Sequence, residues 1–219
     1  MSKSGSAVSF AKPTDGIISR TINRKISARI TMWLASWRRP PSPDTVSVIA
    51  GVMVAAGGLG FAAGYPWLGG ILAQLGSILD GVDGEIARVL GRQSKAGALF
   101  DTVLDRLADI VLLLGMVLAV AETLDPILAV TVALAAITGD LMVSYIHAFG
   151  EKVAGRHPVL IGRIPGIASR DVRLFTVFIA GLLGRPLEGL ITVALLGHTY
   201  TVAKTVELIK YLDQGGRPR

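Results

Sequence analysis

The sequence predicts an all-α polytopic membrane protein: six transmembrane helices preceded by an N-terminal amphipathic interfacial helix. Three observations predict it. Of 219 residues 51% are hydrophobic and 17% charged, with a mean hydropathy of +0.57. Apolar runs recur at the roughly 20 residues needed to cross a bilayer. Lysine and arginine fall almost entirely on one side of the resulting spans, with Arg185 the exception. The chain has no cysteine, which excludes disulfide scaffolds, thiolate metal sites and cysteine nucleophiles. A net charge of +6 and a pI near 9.9 follow the membrane topology, so no nucleic-acid partner is expected.

Residues 1–15 are polar and lack the apolar stretch and cleavage site of a signal peptide, so they read as a flexible tail. Residues 16–39 read as an amphipathic juxtamembrane helix. Ile17, Ile18, Ile22, Ile26, Ile30, Trp33, Leu34 and Trp37 recur at helical spacing, while Arg20, Arg24, Lys25 and Arg29 take other faces. A six-helix membrane domain follows over residues 40–212, entered through the break at Pro40, Pro41 and Pro43. Its spans are expected near 45–64, 66–90, 98–120, 126–149, 172–183 and 186–208, with a C-terminal tail over 213–219. The fifth span is short, so it recruits residues before Arg173 or sits where the bilayer is thin. The positive-inside bias places both termini in the cytoplasm. No fused soluble catalytic domain is expected.

The stretch 79–106 carries the chemistry. Asp80 and Asp83 are three apart, and Asp101 and Asp105 four apart, so each pair projects from one helical face. A short turn near 91–96 lets the two faces meet as antiparallel neighbours. At 1.5 Å per residue the cluster lies about 21–25 Å from the far surface, recessed but reachable from the cytoplasm. A carboxylate at the centre of a bilayer costs about 2.5–3.5 kcal/mol on insertion scales, less near the edge, and four together repel one another. An oxygen-preferring divalent cation, Mg²⁺ or Mn²⁺, would offset both penalties. The plain alternative is salt bridging to Arg88, Lys95 and Arg106. Gly84, Ala87 and Gly97 leave room beside the carboxylates, or else serve close helix packing. Arg88, two turns after Asp80, could clamp a phosphate or snorkel at the interface.

Together Asp80, Asp83, Gly84, Ala87, Arg88, Gly97, Asp101 and Asp105 satisfy D-x2-D-G-x2-A-R-x8-G-x3-D-x3-D without a gap. This resembles the signature of the CDP-alcohol phosphotransferase family, also called CDP-alcohol phosphatidyltransferases. The resemblance implies transfer of the substituted phosphate of a CDP-alcohol to the hydroxyl of a second alcohol, with release of CMP. It implies that Asp80, Asp83, Asp101 and Asp105 hold two metal ions and that Asp105 also acts as general base. It further implies that Asp80, Asp83, Gly84, Ala87, Arg88 and Gly97 bind the cytidine diphosphate, and that the protein is a homodimer of the cell membrane. Relatives commonly open the first span with Thr-Pro-Asn, where this chain has Ser42-Pro43-Asp44.

For the acceptor, Arg163, Arg170 and Arg173 lie between the fourth and fifth spans and suit an acceptor phosphate, or simply follow the positive-inside rule. Residues 12–20 also look like the approach to the membrane domain in members fused to a cytidylyltransferase, including those making di-inositol phosphates. The preferred acceptor is therefore an inositol phosphate, with CDP-diacylglycerol or CDP-inositol as donor. A phosphatidylglycerol phosphate synthase using glycerol phosphate is the enzymatic alternative, and a cation transporter the nonenzymatic one. His147, His157 and His198 are expected to be isolated from one another. Asp140 and Tyr145 are candidates for lining the cavity or for packing.

Overall fold

Five of the seven α-helices, α2 to α5 and α7, begin where the sequence supplies a side-chain cap or a proline. The computed structural model describes residues 10 and 12–216; the remainder of the expected tails, residues 1–9, 11 and 217–219, lies outside the described residues. A π-helical turn over Ser19–Asn23 leads into α1 (Arg24–Ala35). α2 (Pro43–Ala62) starts with Pro43 in its first turn and Ser42 Oγ accepting from the Thr45 N–H at 3.1 Å. α3 (Pro66–Val89) and α4 (Lys95–Val120) follow, the latter capped by Ser94 Oγ on the Gly97 N–H at 2.9 Å. α5 (Pro126–Ala154) is capped by Asp125, and α6 (Arg170–Leu182) and α7 (Pro186–Asp213) complete the order. The described residues contain helices and no strand.

Two outer corners repeat one device. Gly64 and Gly184 take φ of 82° and 65°, one residue before the Tyr65-Pro66 and Arg185-Pro186 steps. Tyr65 N–H reaches back to Gly60 O and Arg185 N–H to Ala180 O, closing the last carbonyls as a helix-terminating glycine does. The proline after each turn cannot continue the old helix and starts the next. Gly91 makes the same reversal between α3 and α4, with Arg92 N–H on Ala87 O at 2.8 Å.

The helices pack through backbone contact. A Cβ on Gly115 would collide with Gly58 O, and one on Gly197 with Gly139 O. Only residues without side chains allow α2 to meet α4, and α5 to meet α7, that closely. α2 packs on both α3 and α4, α5 on α7, and α3 on α6, whereas α3 and α4 make little direct contact. The core fills the side away from that gap with Val54, Phe61, Leu112, Met116, Val177, Leu190 and Val193. Large apolar side chains also cover the outside, among them Leu59, Leu118, Ile127, Leu134, Leu183 and Leu195. Two helices, α2 and α5, are long and apolar enough to cross a membrane by length and composition.

α1 is oriented opposite to a helix on a soluble core. Asn23, Ser27 and Thr31 recur every four residues and are buried against α3, while Ile22, Ile26, Met32, Trp33 and Trp37 face outward. The segment expected to be a flexible tail does not hang free over residues 12–15. Asp15 accepts two hydrogen bonds from Arg24, both at 2.9 Å, and one from the Lys12 N–H at 2.8 Å.

Candidate active site

The gap between the ends of α3 and α4 is a cavity of about 780 Å³. The Gly91 reversal folds α4 back along α3, and the four-residue spacing on α4 turns Asp101 and Asp105 toward Asp80. One carboxylate oxygen from each of Asp80, Asp101 and Asp105 lies within 4.8 Å of the others. Asp83 lies beside this trio, in the same cavity. It is buried beside Asp101 and accepts a hydrogen bond from Ser47 Oγ on α2, because its position on α3 faces α2.

Of the ion pairs that the salt-bridge alternative supposes, only that of Arg106 with Asp105 forms, at 3.8 Å. Arg170, at the start of α6, sends Nη1 to Asp80 at 3.0 Å and Asp105 at 2.9 Å. Its other nitrogens hold Asp109. Arg106 turns from Asp105, 3.8 Å away, toward Asp109 at 3.2 Å and Asp140 at 3.4 Å. Neither Arg88 nor Lys95 bridges these carboxylates among the described residues.

Every residue expected to hold cytidine diphosphate lines the cavity: Asp80, Asp83, Gly84, Ala87, Arg88 and Gly97, with Asp44 beside them. At Gly84 an added Cβ would meet only Arg88 Nη1, at 3.5 Å, so a ligand can approach this backbone. Arg88 Nε is buried without a hydrogen-bond partner among the described residues. A buried guanidinium nitrogen left unsatisfied is costly, and an anion in the cavity would satisfy it.

The three candidate acceptor arginines part company. Arg170 lines the cavity. Arg173 does not; it is 2% exposed and bonded to Asp140 and Ala168 O. Three residues along a helix rotate a side chain to a different neighbour, and the burial of Asp140 requires a countercharge. Arg163 is exposed in the loop between α5 and α6, its N–H bonded to Glu207. That loop is tied to α7 by Lys204, which is fully buried and donates to Pro158 O, Ile161 O, Ile164 O and Glu207.

The family model for CDP-alcohol phosphatidyltransferase matches residues 41–202. The chain belongs to the CDP-alcohol phosphatidyltransferase family. It is 41% identical over 199 residues to a bifunctional IPC transferase and DIPP synthase of Rubrobacter xylanophilus, covering 90% of this chain and 44% of that protein. It is 30% identical over 174 residues to an archaetidylinositol phosphate synthase of Pyrococcus horikoshii, covering 80% of this chain and 87% of that one. The chain thus spans less than half the length of the bifunctional relatives it matches. Its fold is that of the phosphatidylinositol phosphate synthase of Mycobacterium tuberculosis, solved with CDP-DAG bound, at a TM-score of 0.68 and 22% identity over 84% of this chain and 94% of that one.

Within this phosphatidyltransferase fold several contributors lie outside the sequence signature. Asp109 extends the four-residue spacing of Asp101 and Asp105, a readable signal that the signature does not include. Lys12, Thr14, Asp15, Ser19, Asn23 and Arg24 form a wall of the cavity opposite α4. Burial pushes the Asp15 carboxyl up, but the hydrogen bonds from Arg24 and Lys12 outweigh it and hold the group below the usual carboxylate range. Against its own burial, Arg24 is held above its ordinary value by Asp15 and Glu85. The histidines are not all isolated: the rings of His147 and His157 lie 4.9 Å apart, because the loop after α5 folds back on it. His147 Nε2 also meets Tyr200 OH at 2.8 Å. Asp140 lines a small separate cavity under Arg173, and Tyr145 is exposed and stacked on Phe149.

Proposed function

We propose that this chain catalyses metal-dependent transfer of the substituted phosphate of CDP-diacylglycerol or CDP-inositol to the hydroxyl of an inositol phosphate, releasing CMP. The observation that carries the reading is the convergence of Asp80, Asp101 and Asp105 at one end of a cavity whose lining includes every other signature residue, Asp105 lying just behind it against Asp80 and Asp101. Relatives named as inositol-phosphate-using synthases support the choice of acceptor.

The site offers carboxylate oxygens and no thiol, which suits a hard divalent ion, Mg²⁺ or Mn²⁺. Asp80, Asp83, Asp101 and Asp105 would hold two such ions, and when bound they would neutralise charge on the diphosphate and the departing CMP. The related synthase solved in complex with manganese and citrate supports this choice. Arg88, the open backbone at Gly84 and the Gly97 turn beside Asp44 would receive the nucleotide end of the donor. Asp105 would take the proton of the acceptor hydroxyl as its oxygen attacks phosphorus and the bond to CMP breaks. Arg170, in contact with Asp105, would orient the acceptor phosphate.

In this reading residues 40–212 form the membrane domain, with α2 to α7 as six spans and α1 lying in the cytoplasmic interface of the cell membrane. The outward apolar surface of α2, α4, α5 and α7 supports it, as does the basic residues' distribution. Both termini and the cavity mouth then face the cytoplasm, and the active form is a homodimer. Beyond the carboxylates α4 is sealed by Leu112, Leu113 and Met116, which disfavours ion transport through the bundle. The test is CMP release by purified protein from CDP-diacylglycerol and CDP-inositol, with inositol phosphate or glycerol phosphate, in Mg²⁺ or Mn²⁺. Release that requires inositol phosphate supports the proposal; none with any pair overturns it.

A further inference from the structure

Among the described residues, Glu85 is a fully buried carboxylate near the cavity that the transfer chemistry does not use. It sits on α3 two residues after Asp83 and so faces away from it, with 0% of its surface exposed. Three donors from the N-terminal region converge on it: Arg24 Nη1 at 2.7 Å, Ser27 Oγ at 2.7 Å and Thr31 Oγ1 at 2.6 Å. Two to three turns earlier on α3, Ser77 Oγ accepts from Asn23 Nδ2 and Gln74 Nε2 donates to Asn23 Oδ1. The contact between α1 and α3 therefore carries a polar seam beside the apolar packing of Ile30 and Leu34 on Val82 and Ile86, and Glu85 is the charge that α3 contributes to it.

The seam reaches the cavity through Arg24. While Nη1 holds Glu85, Nε and Nη2 grip Asp15, which anchors the segment 12–23. That segment is also fixed at its middle: the Ser19 N–H donates to Asp171 on α6 at 2.6 Å. A Cβ on Gly16 would collide with Asp171 and Ser169, so the crossing needs a residue without a side chain. The strap thus runs across the cavity from α3 to the start of α6, next to Arg170. It presents Thr14, Asp15 and Ser19 to the cavity, hydroxyls that can donate or accept and a carboxylate that can accept from a polyhydroxylated ring.

We propose that Glu85 is a positioning residue which, through Arg24 and Asp15, holds the 12–24 strap as the wall against which a polyol acceptor is oriented. This rests on the transfer reaction proposed above. Loss of the anchor frees the wall without touching the carboxylates that act on the diphosphate. Its signature is a rise in the acceptor Michaelis constant with little change in that of the donor.

The chain has no cysteine, so a thiol introduced by Thr14→Cys is unique. The experiment compares Glu85→Ala and Glu85→Gln, each with Thr14→Cys, in the full chain, reading maleimide labelling of that thiol and steady-state CMP release with inositol phosphate as the probe acceptor. Gln214→Cys serves as a labelling control away from the strap. In the Glu85→Ala background the strap thiol is expected to label at least about fivefold faster, and the acceptor Michaelis constant to rise about tenfold, the scale of one lost hydrogen-bonding group. Glu85→Gln, which keeps one acceptor oxygen and puts a donor NH2 where the other stood, facing the Ser27 or Thr31 hydroxyl, should restore part of both. Should Glu85→Ala misfold, the double variant Ser27→Ala and Thr31→Ala attacks the same seam from α1. Unchanged labelling overturns the anchor, and faster labelling with an unchanged acceptor constant overturns the positioning role. If wild type releases no CMP, the reaction assignment fails while the labelling still reports on the anchor.

Discussion

Arg170 grips Asp109 with Nε and Nη2 at 3.0 Å and so turns its third nitrogen toward Asp80 and Asp105. Asp109 lies one helical turn beyond Asp105, deep enough to be 2% exposed, and it uses both oxygens on the guanidinium. A planar fork held at one edge has a defined direction at the other. The arginine therefore enters the cavity aimed, and lysine could not copy this.

Arg170→Ala should raise the Michaelis constant for a phosphorylated acceptor about 10- to 100-fold, the equivalent of a lost charge-assisted hydrogen bond. An acceptor without phosphate should be affected much less. Arg170→Lys should recover little. Steady-state kinetics with inositol and inositol phosphate separate these outcomes.

Arg173→Ala should act on stability instead. It strips Asp140 of its closest cation in a buried setting, a change worth about 3–5 kcal/mol, so the thermal midpoint in detergent should fall. Arg163→Ala, at an exposed position, should stay within about 0.5 kcal/mol of wild type and leave the acceptor constant unchanged. A rise in that constant for Arg163→Ala would restore the three-arginine phosphate site.

Asp105→Asn should lower turnover about 10²- to 10⁴-fold, the range for a lost general base, with donor binding largely kept. Asp80→Asn should weaken Mn²⁺ binding, readable by electron paramagnetic resonance without any turnover. Chelation by EDTA should stop CMP release, and added Mg²⁺ or Mn²⁺ should restore it. Full turnover in Asp105→Asn would remove the base assignment.

The loop between α5 and α6 should loosen in mild acid. Burial and the nearby Lys204 push the His157 imidazole below its ordinary value of 6.5, against Glu151 pulling the other way. The folded state binds the proton less well than the unfolded one, so this contribution is present above pH 6.5 and lost as pH falls through the lowered value. Hydrogen exchange over residues 155–169 should quicken between pH 7 and 5, and His157→Gln should blunt the change.

Gly115→Ala tests the backbone contact between α2 and α4. Its methyl would collide with Gly58 O, so destabilisation of about 1–3 kcal/mol is expected for overpacking, seen as a lower thermal midpoint. A midpoint equal to wild type would mean the helices can part without cost.

How much of this is legible in the sequence depends on whether the signal is local. Helix positions follow caps, prolines and apolar run lengths, which are properties of neighbouring residues, so the expected 66–90 and 126–149 segments lie close to α3 and α5. The pairing of Asp80 with Asp101 and Asp105 is readable because one short turn joins their helices. The placement of Asp83 is not, because its neighbour, Ser47, comes from α2, and helical spacing says nothing about a third helix. Arg173 groups with Arg170 on sequence proximity, although three residues of helix send the two to different carboxylates. The strap is invisible: a short polar segment looks mobile until its distant partners, Glu85 and Asp171, are known.

The inverted α1 has a practical consequence for handling the purified enzyme. If α1 lies in the interface as proposed, its outward apolar side would be held by lipid or surfactant, whereas α2 meets α4 and α5 meets α7 through close glycine contact. Harsh solubilisation would peel away this outer float first. A preparation can then keep its full helical circular dichroism and sharp elution profile while having lost one side of its reaction chamber, so a silent assay on such material would speak to the surfactant before it spoke to the catalyst.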